Sequence, residues 1–300
     1  MRATPEIPAV VDVPGLHDAV LGWYDEHARD LPWRGVDASP WSVMVSEFML
    51  QQTPVARVLP VHAAWLATWP TPAALAAAST GEAVRAWGRL GYPRRALRLH
   101  AAATAIVAQH GGEVPRAYAD LLALPGIGDY TAAAIASFAY GQRHVVLDTN
   151  VRRVIARVAA GQELPPRSVT TAERALAASL LPDAPADAAT WNVGLMELGA
   201  LVCSVASPAC ERCPVLDRCA WVAAGRPAYD GPARVAQTYA GTDRQCRGRL
   251  LGVVRDADGP VALSTLEAAW AIPEQRDRCL ASLVEDGLLA RVGPASYALP

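Results

Sequence analysis

Lysine is absent from this chain of 300 residues, so all 27 Lys+Arg positions are arginine. A mechanism that needs a lysine amine as nucleophile is therefore closed to it. No run of eighteen apolar residues occurs, and residues 1–11 lack a basic start followed by an apolar stretch. The expectation is no export and no membrane span, hence a cytoplasmic protein. Charge of one sign is not in excess either. The net charge is −2, so any nucleic acid must be met by a local patch rather than by a globally basic surface. Internal repeats and a low-complexity tail are lacking as well. What the chain does have is apolar content, 52% hydrophobic residues, enough for a sizeable core in one large domain or a few small ones.

The apolar residues recur at helical spacing almost throughout. Helices are expected over 16–27, 41–52, 54–69, 81–91, 93–110, 129–140, 149–160, 170–180 and 186–202. Turns fall at Gly111-Gly112, at Leu124–Gly128 and at Leu164-Pro165-Pro166. Residues 223–240 carry Gly225, Pro227, Gly231 and Pro232 and read as a linker. Beyond it three helices are expected, over 244–255, 263–269 and 274–286, followed by two short segments flanking Gly293-Pro294. That is a hairpin signature. Three helices and a closing hairpin suggest a small winged-helix-like unit over 243–300. Its recognition-like helix would be 274–286, with Arg276 and Arg278, and its wing tip Gly293-Pro294.

Six cysteines are present, and four of them, Cys203, Cys210, Cys213 and Cys219, are spaced C-x6-C-x2-C-x5-C. Four thiolates so close together point to one inorganic centre. Zinc sites usually show two separated C-x2-C pairs, and only one pair occurs here. A single wrapped loop with Pro214 after the third cysteine fits an iron–sulfur cluster better than zinc, and a disulfide reading suits the cytosolic look of the chain least. Cys246 and Cys279 are isolated and read as ordinary reduced thiols.

Three further segments carry chemistry. Leu124-Pro125-Gly126-Ile127-Gly128 lies between two helical patterns. Its glycines permit a tight turn that presents backbone N–H groups at a helix N-terminus, a phosphate-binding arrangement, although a plain interhelical turn has the same look. Asp148, twenty residues on, suits a helix N-cap, and a carboxylate there is expected to stay ionised. Glu47 stands among mostly apolar neighbours in Val43–Leu50, which favours its protonated form unless it faces water. Gln51 lies one turn on, on the same face. A protonated glutamate and an ionised aspartate form the acid–stabiliser pair of glycosidic bond cleavage. Two arginine clusters, Arg94, Arg95, Arg98 and Arg152, Arg153, Arg157, are candidates for a phosphate-binding face or for solvated helix faces.

The Pro-Gly-Ile-Gly hairpin, the aspartate and the cysteine loop together resemble the helix-hairpin-helix DNA glycosylases that carry a 4Fe–4S cluster. Leu31-Pro32-Trp33-Arg34, Ser46–Thr53 and Leu90-Gly91-Tyr92 look like the MutY-type adenine DNA glycosylases within that superfamily. The resemblance spans about 16–219. It implies an all-α fold of two helical domains with a cluster loop: an N-terminal helix at 12–32 packing with the cluster domain, a six-helix domain at 33–144 and the cluster domain at 145–224, with the winged-helix-like unit following. It implies a monomeric base-excision repair enzyme, associated with the nucleoid, that removes adenine mispaired with guanine or 8-oxoguanine in double-stranded DNA. By this likeness Glu47 protonates adenine at N7, Asp148 stabilises the oxocarbenium-like sugar, and Tyr130 and Asn150 orient Asp148. Trp33 and Arg34 line the base pocket, while Leu50, Gln51, Gln52, Tyr92, Gly126 and Gly128 meet the DNA, with Gln52 and Tyr92 filling and wedging the gap left by the flipped base. Cys203, Cys210, Cys213 and Cys219 hold the cluster.

The pattern departs from the resemblance in places. Thr149 stands where glycine is common, Val193 where a polar residue is common, and Pro93 where a second tyrosine is frequent. The residues after Gly225 are too few for the Nudix-related domain that reads 8-oxoguanine in such enzymes. Two other readings remain at this stage: an endonuclease III-like lyase on oxidised pyrimidines, whose catalytic lysine would fall at Tyr130, and a non-catalytic iron–sulfur DNA-binding scaffold.

Overall fold

The computed structural model describes residues 12–35, 37–232 and 239–300. In chain order the helices are α1 (Val13–His27), α2 (Pro40–Leu50), α3 (Val55–Thr68), α4 (Pro72–Ala76), α5 (Thr80–Trp87), α6 (Arg94–His110), α7 (Tyr118–Ala123), α8 (Asp129–Tyr140), α9 (Thr149–Val158), α10 (Thr171–Ser179), α11 (Pro185–Leu201) and α12 (Ala220–Ala223). Then follow α13 (Asp243–Arg255), β1 (Val261–Ala262), α14 (Leu263–Ala269), α15 (Pro273–Glu285), β2 (Ala290–Arg291) and β3 (Ser296–Ala298).

Local chemistry sets many of these boundaries. The Ser39 hydroxyl accepts from Ser42 N ahead of Pro40, so α2 starts with both a cap and a proline in its first turn. Ser79 and Glu82 satisfy each other's backbone N–H groups in a capping box at the start of α5. Gly111 (φ 62°) and Gly141 (φ 62°) end α6 and α8 in the left-handed region, where glycine bears no steric penalty. No helix among the described residues is long and apolar enough to cross a membrane.

The chain divides into two units. The first holds α1, residues 116–122, α8 to α12 and the cysteine loop. Here α11 packs on α1 and α9. Leu16 and Val20 of α1, Val154 of α9, and Trp191, Leu195 and Leu198 of α11 share one buried cluster.

The second unit holds α2 to α6, residues 123–127 and the C-terminal elements. Trp65 lies edge-on to both Trp69 and Trp87, at centroid distances of 4.6 and 5.7 Å. The expected three helices and closing hairpin are present, and β1 completes a sheet of order β1-β3-β2, with Val261 and Arg291 both opposite Tyr297. The order helix, strand, helix, helix, strand, strand is that of a winged helix. Residues 233–238 of the expected linker lie outside the described residues.

The C-terminal elements are tied to α5 and α6 by polar contacts. Arg85 donates to the carbonyls of Arg255 and Ala257, and Arg255 Nη1 to that of Gly88 at 2.7 Å. Asp286 takes ion pairs from both Arg94 and Arg247. Burial works against its ionisation, but those two arginines outweigh it and hold the carboxyl below the usual range. Gly81 N donates to Pro300 O at 2.8 Å, and a Cβ at 81 would come within 2.2 Å of that oxygen.

Candidate functional site

Within the second unit, α2 is buried on nearly every side from Trp41 to Met49. Glu47 is carried inward with it and is only 4% exposed, so the wet-face reading does not hold. The helix ends at Leu50, half-buried, and Gln51 forms its C-cap. Gln52 is exposed and adopts φ 53°. Tyr92, 43% exposed, adopts φ 47°. Only three described non-glycine residues have positive φ, and these are two of them, the third being Arg226. A side chain in that region costs energy and persists only where surrounding structure enforces it.

The enforcing group is Arg95. Its Nη1 donates to the carbonyls of Phe48, Met49 and Gln51 at 2.8, 3.0 and 2.7 Å. Its Nη2 donates to Thr53 Oγ1 and to Gly91 O, both at 3.0 Å. One guanidinium thereby closes the end of α2 and links the turn holding Gln52 to the turn holding Tyr92. It also lies 5.2 Å from the Trp87 ring centroid and 5.6 Å from that of Tyr92. Burial lowers its pKa to about 10, so it remains charged at neutral pH. Gly126 (φ 78°) is a glycine by necessity, because a Cβ there would stand 2.6 Å from Arg98 Cβ.

Within the first unit, Asp148 caps α9, its Oδ1 accepting from Val151 N at 2.6 Å. Asn150 Nδ2 donates to Asp148 Oδ2 at 3.0 Å, and Arg153 Nη2 donates to Asn150 Oδ1 at 2.8 Å. Arg153 continues to the carbonyls of Gly199 and Cys203, both at 2.7 Å. Gly199 admits this arrangement, since a Cβ there would lie 2.6 Å from Asn150 Cβ. The expectation of a readily ionised aspartate is corrected here. Burial raises the Asp148 pKa, and the hydrogen bonds from Val151 and Asn150 and the Arg153 charge offset this only in part.

Tyr130, with Tyr118 and Phe138, packs against a buried cluster of Ala133, Ala134 and Val146, the last of which stands two residues before Asp148. Gly128 is the N-cap of α8, and nothing lies within 4 Å of a Cβ built on it. The protein's own packing does not demand glycine there, unlike at Gly126. Trp33 is buried in a 3-10 turn over Pro32–Arg34. Arg34 Nη1 meets Glu197 Oε2 at 3.1 Å, and Arg29 Nε and Nη2 hold the same carboxylate at 2.5 and 2.8 Å. Glu197 is fully buried; burial opposes its charge, yet the hydrogen bonds and charges of Arg29 and Arg34 hold its pKa below the usual range. Glu197 went unread in sequence, because one acidic residue inside an apolar helix pattern does not show which arginines it will meet.

Cys203, Cys210, Cys213 and Cys219 line one cavity with Arg157 and Trp221, and none is in a disulfide. The loop is shaped by 3-10 turns over Cys210–Arg212 and Leu216–Arg218. Burial, with the other three thiols close by, pushes the Cys213 pKa up to about 11. Arg157 Nη1 is 3.3 Å from Cys203 Sγ, and its guanidinium lies 4.7 Å from the Trp221 ring centroid. Among the described residues no three His, Cys, Asp or Glu side chains form a group suited to a single metal ion.

Of the six clustered arginines that were candidates for a phosphate-binding or a solvated face, five are engaged within the protein, and Arg98 alone is exposed with no hydrogen bond or ion pair to a described residue. Arg95, Arg153 and Arg157 are buried, Arg152 pairs with Glu173 at 2.7 Å, and Arg94 pairs with Asp286. The recognition-helix reading of α15 changes in the same way. Arg276 is buried against Glu267 and Asp277, and Arg278 pairs with Asp243 at 2.9 Å. Cys246 and Cys279 are both buried, and they lie beside each other although sequence reading took them as isolated, because α13 packs on α15.

Residues 45–178 match the family model described as HhH-GPD superfamily base excision DNA repair protein. An adenine DNA glycosylase of Mycobacterium tuberculosis (strain CDC 1551 / Oshkosh) is 51% identical over 282 residues, 94% of this chain and 92% of that protein. One from Mycolicibacterium smegmatis is 51% identical over 93% of this chain and 94% of its own length. Among solved structures, that of a thermostable thymine-DNA glycosylase superposes with a TM-score of 0.62 at 25% identity, covering 71% of this chain and 97% of that one.

Proposed function

The chain belongs to the adenine DNA glycosylases of the HhH-GPD superfamily, enzymes of base-excision repair, and from that premise we propose that it removes adenine paired with guanine or 8-oxoguanine by simple hydrolysis. The supporting observation is the different holding of two carboxyl groups. Glu47 is sealed in an apolar helix, the environment of a general acid, and gives its proton to adenine N7. Asp148 is fixed by Val151 N and Asn150 and faces the positive charge that grows on the sugar as the bond breaks. A partly desolvated carboxylate gains most from such a cation, because little water competes for either charge. Its raised pKa is the ground-state counterpart of that gain. Water then completes the exchange: the C1′–N9 bond breaks, adenine leaves neutral, and the water oxygen bonds to C1′ and releases a proton.

Asn150 positions Asp148, and Tyr130 borders the same segment. Arg34, tied to Glu197, is held rather than mobile and lines the base pocket with Trp33. Gln52 and Tyr92, in enforced left-handed conformations, fill and wedge the space of the extruded adenine, with Leu50 and Gln51 at the base of that turn. Gly126 and Gly128 bring backbone N–H groups to a phosphate. The enzyme works as a monomer.

The four loop cysteines suit a 4Fe–4S cluster. They are all-sulfur donors around one cavity, unpaired with one another. A zinc ion requires four donors converging at about 2.3 Å from one point. A cluster held there supplies iron–thiolate bonds that tie residues 203–219 into one piece.

An endonuclease III-like lyase would need a lysine that the chain does not have. The deciding experiment is strand cleavage, with and without alkali, on duplexes bearing A:G, A:8-oxoguanine and oxidised pyrimidines. Breaks at adenine only after alkali, and none at pyrimidine lesions, are expected. Alkali-independent breaks or borohydride trapping would refute hydrolysis without a lyase step.

A further inference from the structure

The helix that sequence patterning nominated for DNA reading has its arginines engaged internally, but another arginine of the same winged-helix unit is not. Arg244, in the first turn of α13, is exposed. Its guanidinium carbon lies 4.8 Å from the Tyr92 ring centroid and 5.7 Å from that of Tyr239. It makes no hydrogen bond or ion pair to any described residue. Its neighbour Asp243, the nearest carboxylate in sequence, is occupied by Arg278 and by Gln275 Nε2. Two aromatic rings therefore hold this cation, and no described residue takes up its N–H donors.

An arginine held by ring faces is favourable because the guanidinium is planar and weakly hydrated, and stacking leaves its in-plane donors open. Such a fork matches two acceptors on one edge, as O6 and N7 of a guanine present them. Where the fork sits decides between a base and the phosphate backbone. Tyr92 is the wedge in the function proposed above, so a group resting on its ring is carried to the level of the base stack. The ties from Arg85, Arg94 and Arg255 fix the winged-helix unit to α5 and α6, and α6 begins two residues after Tyr92. The position of Arg244 is thereby a property of the fold.

We propose that Arg244 of the C-terminal unit is a specificity-determining residue that donates to the guanine or 8-oxoguanine opposite the adenine, and so gives the winged helix a part in reading the opposite base. The proposal rests on the reading of Tyr92 as the wedge.

The test measures single-turnover adenine release opposite 8-oxoguanine, guanine and cytosine, together with the salt dependence of duplex affinity, for the full chain and three variants. Cytosine lacks the paired purine acceptors and serves as reference. Arg244→Gln is expected to lower the two purine rates roughly tenfold relative to the cytosine rate. Arg244→Lys is expected not to restore the ratio, because an ammonium has neither the plane nor the fork. An equal loss against all three bases with a shallower salt dependence identifies a phosphate contact and overturns the proposal. Full rescue by lysine, or unchanged ratios in Arg244→Gln, overturns it as well. Tyr92→Ala separates the two layers: unchanged rates there overturn the wedge reading, whereas a disabled Tyr92→Ala beside an unaffected Arg244→Gln overturns only the role of Arg244.

Discussion

Arg153 donates from Nε to the carbonyl oxygen of Cys203 at 2.7 Å while its Nη2 holds Asn150, so the first cysteine of the loop and the hydrogen-bond partner of Asp148 share one buried guanidinium. Its charge also counters the effect of burial on Asp148. Arg153→Leu is therefore expected to slow adenine release and to move the acidic limb of the pH–rate profile upward. The sign follows from the removed charge: without it Asp148 takes up a proton at higher pH and loses its stabilising role sooner. An unmoved acidic limb in single-turnover rates would separate Arg153 from Asp148.

Asp148→Asn is expected to lower activity and raise thermal stability together. Asparagine caps a helix as well as aspartate does. The folded protein holds the Asp148 proton more tightly than the unfolded chain, so this group's contribution is best below the unfolded carboxyl value of about 4 and worsens as pH rises through the raised folded value. The gain in melting temperature of Asp148→Asn is thus expected to be largest at neutral pH and to fade towards pH 4. A variant less stable than its parent at pH 7 would contradict this.

Glu47→Gln keeps the shape of the buried side chain and removes its proton. A loss of about 10²–10⁴-fold in rate is expected, with mismatch affinity retained. Rapid-quench rates and gel-shift affinities on the same duplex measure the two effects; more than a tenth of the parent rate would exclude Glu47 as the acid.

Purified protein is expected to be brown and to contain about four irons per chain. Cys213→Ser is expected to lose iron and thermal stability together, since residues 203–219 would lose the centre they surround. A colourless active protein with one zinc per chain, found by elemental analysis, would refute the cluster.

Replacing Arg95 by leucine strips five acceptors in one step and leaves buried carbonyls unsatisfied. The expected cost is on the order of 3 kcal/mol in denaturant unfolding. Arg95→Lys keeps a charge without the fork, and affinity for mismatched duplex is expected to fall more than stability, because Gln52 and Tyr92 lose the link that sets their backbone. Equal affinity for parent and lysine variant would show that the two turns hold themselves.

Much of this architecture was visible in residue order. Helical spacing located most of the long helices to within a few residues, since their apolar stripes and caps are local properties. Gly293-Pro294 located the closing hairpin, but β1, two residues long, leaves no periodic trace. The five-residue α4 is equally short. The burial of Glu47 and the gathering of the four cysteines around one cavity were legible because neighbours along the chain supply their surroundings. The arginines were not. Arg95, Arg153 and Arg157 read as surface charge, and only the folded chain shows backbone carbonyls gathered around them from segments distant in sequence. The raised pKa of Asp148 escaped for the same reason: capping is local, whereas desolvation comes from everything packed around it.

The bond from Gly81 N to Pro300 O also bears on how the C-terminal sheet opens. Strands of two and three residues are too short to persist alone, so the sheet depends on its anchorage to α5 through Pro300 and through Arg85. In deuterated water the amides of Leu263 and Val292, which bond across the strand ends, would then exchange in step with the first turn of α5, one cooperative opening for segments nearly two hundred residues apart in the chain.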